Sequence, residues 1–206
     1  MFLELKQTKN ELYEAEHTLL RGGAPVGVMR LSGRPGSMEG VWSVSFGGST
    51  AVLQRGVYPD IPRNACRPYV IYSGDGSAAG CVYQTVSEGG LFDRFAYHRC
   101  VLNGRVYDMF PISLGEGGVK NPVYTGGRQV GQIEKDTVIY NGLHDFRVYS
   151  TDPVAETACV VICCYMYSLA FFKPGKKPIR TTEKFFDRTK NKRLLAMYDE
   201  SFVRKL

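Results

Sequence analysis

The sequence predicts a mainly β protein, and three observations carry that expectation. Glycine is abundant, with 23 in 206 residues, and 13 Tyr and 11 Phe stand among β-branched residues rather than in Leu-, Glu- and Lys-rich stretches. Up to about residue 150 the chain alternates short runs rich in Val, Ile, Tyr and Phe with Gly-containing turns, the pattern of strands joined by tight connections. A hairpin-like unit also recurs along the chain.

The predicted strands are residues 2–6, 25–31, 41–46, 51–57, 69–72, 80–86, 92–102, 105–111, 121–124, 129–134, 137–140 and 145–149. About a dozen strands at this spacing form a sandwich or a barrel. The run from Phe92 is long enough for two pieces or a bulge, and 33–39 and 58–67 read as loops from their Gly, Pro and Asn content. In the repeat, LLRGGAPVGVM (19–29) matches VYTGGRQVGQI (123–133) position by position, and YSGDGSAAGCVY (72–83) is a third copy with an extra turn residue. Each copy is a strand end, a Gly turn needing positive φ, and a strand glycine (Gly27, Gly80, Gly131) where a neighbour approaches closely. Neither GGAPVG nor GGRQVG carries the Gly-Lys-Ser/Thr of a P-loop or a GxGxxG, so no nucleotide cofactor is indicated.

The rhythm breaks at Asp152-Pro153, which with Glu156 makes a helix start, and Lys173-Pro174-Gly175 makes a stop. Residues 157–172 (TACVVICCYMYSLAFF) contain no charge, and a helix apolar on every face belongs inside a protein core or a bilayer. Charge is segregated as well. Residues 1–172 hold 15 Lys/Arg against 16 Asp/Glu, whereas 173–206 hold 11 against 4, a net charge of +7. The chain therefore divides into a body, 1–172, and a basic, partly helical tail, 173–206.

Such a tail points to an anionic partner: a lipid surface, an acidic protein or, with no groove-reading motif present, less readily a nucleic acid. The candidate lipid-binding residues are Lys173, Lys176, Lys177, Arg180, Lys190, Lys192 and Arg193, with Phe185, Phe186, Leu194 and Leu195 available to insert at an interface. Leu194, Leu195, Tyr198 and Phe202 share one face of a helix that docks on the body or on a membrane.

Catalytic signals are scarce. His98 and Cys100 share a strand face at i and i+2, an arrangement that packing explains, and His17, His98 and His144 show no HxxxH or HExxH spacing for a metal. Glu134 and Asp136, beside Lys135, read as a solvated hairpin edge, and His144-Asp145 as a turn. The six cysteines include no CxxC pair, three lie in the apolar run, and MFLELKQTKNELYEAE lacks a signal-peptide core; a reducing, cytoplasmic setting is expected.

The hairpin VYTGGRQVGQIEKD (123–136), the following NGLHDFRVYSTD (141–152) and the apolar run 154–172 together resemble the tubby C-terminal-like superfamily, which includes LURP-one-related proteins and phospholipid scramblases. The resemblance covers roughly residues 1–172. It implies an antiparallel barrel of roughly twelve strands with the apolar helix, about 154–172, threaded through its middle, and a non-enzymatic binding role, or alternatively a scramblase-like protein in which that helix spans a membrane. Two departures stand out. Tubby-like domains end on the central helix, whereas this chain continues for 34 residues. No phosphoinositide-binding basic residue of those domains maps onto a motif here.

Overall fold

Twelve antiparallel strands close into a barrel around one helix. The structure, a computed structural model, describes residues 1–33, 35, 40–59, 61–62, 65–90 and 93–206. In chain order its elements are β1 (Phe2–Asn10), β2 (Glu14–Arg21), β3 (Ala24–Gly33), β4 (Gly40–Phe46), β5 (Ser49–Arg55), β6 (Cys66–Ser73), β7 (Ala78–Val86), β8 (Ala96–Leu102), β9 (Arg105–Met109), β10 (Ile112–Ser113), β11 (Val119–Thr125), β12 (Arg128–Lys135), β13 (Val138–Ile139), β14 (Phe146–Ser150), α1 (Pro153–Ala170), β15 (Glu183–Lys184) and α2 (Lys192–Leu195). Neighbours run β11-β12-β14-β1-β2-β3-β4-β5-β6-β7-β8-β9, and β9 returns to β11 through Met109 opposite Val123. The short β10 continues the β9 position along β11 after the break at Phe110-Pro111.

The three sequence repeats are the hairpins β2–β3, β6–β7 and β11–β12. Each carries a bulge at the same place: Val26, Ala79 and Val130 are extra residues next to Gly27, Gly80 and Gly131. Two strands separate each bulged hairpin from the next around the ring, so the bulges fall at thirds of the circumference. A bulge bends its strand and raises local twist, and three placed evenly curve the sheet until it closes. The strand glycines are steric necessities there. A methyl group on Gly80 would collide with the Val101 carbonyl oxygen, and one on Gly131 with Cys159 Sγ on the helix.

Asp152 caps α1, its side chain accepting from the Val154 and Ala155 amides at 3.0 and 2.9 Å, with Pro153 at the first helical position. From Ala158 to Tyr167 every side chain is buried, whichever way it points. Tyr165 meets Tyr69 and His98 on one side of the barrel, while Tyr167 meets His17, Trp42 and Phe146 on the other. The helix is long and apolar enough to cross a membrane, but here the barrel encloses it. It ends at Ala170, before the predicted limit at residue 172, and Phe171 and Phe172 turn into the barrel mouth.

Three sequence expectations need correction. The predicted strand 137–140 forms, as β13, but pairs with β15 of the tail outside the barrel. The twelfth barrel strand is β2, EAEHTLLR, whose acidic and His residues conceal the inward series Ala15, His17, Leu19. The expected helical face from Leu194 to Phe202 is a single turn, α2, capped by Asn191, and then turns; Leu194 and Phe202 are buried while Leu195 is exposed. Phe92, the predicted start of a long strand, and most of the predicted loop 33–39 lie outside the described residues.

Gly80→Ala is expected to lower unfolding stability by about 3 kcal/mol through overpacking against a carbonyl that cannot yield. Gly90→Ala, at an ordinary φ with open space around it, is expected to change stability by less than about 0.5 kcal/mol. Urea denaturation of the two variants beside the wild type checks both.

Candidate binding site at the mouth of the barrel

The two ends of the barrel are built differently. At the end where α1 begins, four hairpins close with two-residue turns in which both residues have positive φ: Gly22-Gly23, Gly47-Gly48, Asn103-Gly104 and Gly126-Gly127. These have the handedness that matches strand twist. At the opposite end, where α1 finishes, every connection but the three-residue β1–β2 loop is long, and the tail crosses over them. That end is the mouth.

Strand alternation sets what faces inward there. Leu3 and Leu5 point inward on β1 and are followed by Gln7; on β12 the inward series Gly131, Ile133 ends in Lys135. The same parity turns His17 of β2, Gln84 of β7, His98 of β8 and Asn121 of β11 inward. The barrel interior is therefore apolar around most of α1 and polar in its last layer, at the mouth.

One half of that layer is tied together by hydrogen bonds, although His17 Nδ1 and His144 Nδ1 there are buried without a partner. The Gln7 amide donates to the Tyr167 hydroxyl (2.6 Å) and to the Lys9 carbonyl (3.1 Å), and Gln7 Oε1 accepts from the His144 backbone N–H (2.7 Å). His17 Nε2 lies 3.0 Å from the His144 carbonyl oxygen. The other half is not closed. Asn121 Nδ2 donates to the Ile133 carbonyl at 3.0 Å, but Asn121 Oδ1 and His98 Nδ1 are buried with no partner. Lys135 is only 3% exposed, and its ammonium has no carboxylate within 4 Å among the described residues; it rests over the rings of Phe146 and Phe171, each 5.2 Å away. The reading of 134–136 as a solvated edge thus fails for two residues. Lys135 points into the barrel, and Glu134 is buried on the outer face against Lys120 (2.7 Å) and Arg147 (3.6 Å), while Asp136 is exposed beside Arg147.

Burial governs the titration of these groups. It pulls His17 and His98 down to about 4 and His144 to about 3, so all three rings are neutral at pH 7. It also pulls the Lys135 ammonium down to about 8, although Asp145 and Asp136 favour the charged form. Cys100, inward from His98 on β8, is fully buried and its thiol is pushed up, which removes thiolate character. Among the described residues no three His, Cys, Asp or Glu gather as a metal site.

All seven predicted tail cations lie at the mouth or its edge and are exposed. Lys173, Lys176 and Lys177 border a cleft beside the β1–β2 loop, and Arg180 reaches Glu11 at 3.7 Å. Lys190, Lys192 and Arg193 sit beside the β7–β8 loop. Arg193 is engaged there, donating to the Glu88 carbonyl (2.8 Å) and lying over Phe95. The tail itself is anchored on the barrel exterior. Thr189 exchanges hydrogen bonds with Ser113, Gly115 N–H donates to the Asp187 carbonyl, and Leu194 packs with Phe95 and Ile112. Between these anchors Ile179 and Phe186 remain 63% and 67% exposed. Compared with known protein families, curated proteins and solved structures, the chain matches none.

The depressed histidines make stability acid-sensitive. Below about pH 6.5 the unfolded chain takes up protons that the folded one refuses until about pH 4, so stability falls across that window, by up to about 1.4 kcal/mol per pH unit for each group. Lys135 acts at the other end. Its burial cost is in full force below about pH 8 and is relieved as pH rises toward 10.5. Lys135→Met is therefore expected to be more stable than wild type at pH 7, by on the order of 3 kcal/mol, with the gap shrinking above pH 8. Urea midpoints of both proteins from pH 5 to 10 check this.

Proposed function

We propose that this protein is a non-enzymatic, cytoplasmic binding module of tubby C-terminal-like type whose barrel mouth docks on anionic phospholipid at a membrane surface. The observation that carries the reading is the make-up of the exposed tail. Ile179 and Phe186 stand out from the protein among Lys173, Lys176, Lys177, Arg180, Lys184 and Lys190, all exposed. Isolated exposed apolar groups are ordinary, but aromatic and aliphatic groups interleaved with cations at one end suit an interface where lipid headgroups are anionic and acyl chains lie just beneath. Val57 and Tyr140, 95% and 66% exposed on loops of the same end, extend that character beyond the tail. The barrel closed around an apolar helix also fits the superfamily that the sequence resembles.

Near an anionic surface each cation contributes about 1 kcal/mol, screened within a Debye length of about 8 to 10 Å at ordinary salt. Because Leu194 and Phe202 are buried against the barrel, deleting the tail would uncover apolar surface; charge replacement is the cleaner perturbation. In sedimentation assays the wild type is expected to bind vesicles containing phosphatidylserine, to release them at high salt, and to ignore phosphatidylcholine alone. Replacing Lys173, Lys176, Lys177 and Arg180 together by Gln is expected to weaken binding more than tenfold. Equal binding to neutral vesicles, or none to anionic vesicles at low salt, would overturn the reading.

A further inference from the structure

The part of the polar layer that holds Lys135, His98 and Asn121 borders a cavity of about 370 Å³ between the barrel wall and the last turn of α1. That volume falls at the lower end of small-molecule sites, which run from roughly 300 to 1,000 Å³. Met166, Leu169 and Phe171 of the helix side give it an apolar wall, and Phe185 of the tail covers it from outside. No Asp or Glu lines it among the described residues, whereas Lys135, Arg67, His98 and Asn121 do.

We propose that this cavity binds a small, elongated, largely apolar carboxylate whose charged end meets Lys135. The argument starts from cost. A lysine that serves only the fold is either solvated or paired, because an unpaired buried ammonium is expensive. Lys135 is neither, and Gly131 and Ile133 show that strand parity commits it to the interior. Its two ring contacts compensate a cation only in part. An anion entering the cavity supplies the missing charge without displacing any existing partner.

The other polar atoms extend the site. Asn121, on the strand next to Lys135, offers a buried acceptor, Oδ1, to a hydroxyl, an N–H or a water beside the carboxylate. His98 Nδ1, which also lines this cavity without a partner, lies on β8, three strand spacings from β12, or ~14 Å around the wall at about 4.8 Å per spacing. A chain of medium length, with its carboxylate at Lys135, lies along Phe171, Leu169 and Met166 and ends near His98 and Gln84.

This site is separate from the exposed cations of the tail and does not depend on membrane docking. The test is calorimetric titration of the full chain with octanoate and with octan-1-ol, repeated for Lys135→Met and for the fourfold tail variant. The wild type is expected to bind octanoate at least tenfold more tightly than octanol. Lys135→Met, its folding verified by its urea transition, is expected to lose that preference through a tenfold or greater loss of octanoate affinity, while the tail variant keeps wild-type affinity. Equal affinity for the alcohol, undiminished octanoate binding by Lys135→Met, or no binding by any straight-chain carboxylate from hexanoate to dodecanoate would overturn the proposal.

Discussion

A helix with no charge from Thr157 to its end at Ala170 has no side that tolerates water, and the rest of the molecule is arranged around that constraint. A two-layer packing would cover one face only. Full enclosure needs a ring wider than a barrel filled by its own side chains, and twelve strands supply it. Closing so long a sheet requires curvature, to which three bulged hairpins placed a third of the circumference apart contribute. Where Cys159 of the helix meets β12, the wall residue is Gly131, and a side chain there would collide with the sulfur.

Threading also decides where binding chemistry can sit. Because α1 starts at the end sealed by tight turns, the chain must leave through the mouth, and its remaining residues can only fold back over the opening. The mouth collects long loops, a polar layer and most of the exposed cations. Lys135 there is stable only at a cost that the fold does not require, as a hydrophobic residue of similar length would fill the same space.

Much of this was legible in the sequence, for identifiable reasons. The repeat at Gly27, Gly80 and Gly131 could be read because turns and close approaches restrict residue type, and the structure places a bulge beside each glycine. The helix start was readable from Asp152-Pro153, and its end to within two residues from Lys173-Pro174. β2 was hidden because alternation is obscured when His17 faces inward and Glu14 and Glu16 flank it. Lys135 was hidden for a similar reason: between Glu134 and Asp136 it looks like one member of a solvated charge run. Counting inward places from Gly131 would have turned it into the barrel. The exposure of the tail cations was legible; the engagement of Arg193 by the Glu88 carbonyl and Phe95 was not, since those partners lie about a hundred residues away along the chain.

The enclosure of α1 is tested most directly by its own thiols. Of the six cysteines, Cys66 is exposed and Cys81, Cys100, Cys159, Cys163 and Cys164 are buried. Reaction of the native protein with a water-soluble thiol reagent, in buffer without detergent or lipid, should modify Cys66 at once and the other five together, at the rate of global unfolding. Rapid modification of Cys159, Cys163 and Cys164 ahead of unfolding would mean that the helix is not held inside the barrel, and would contradict the account.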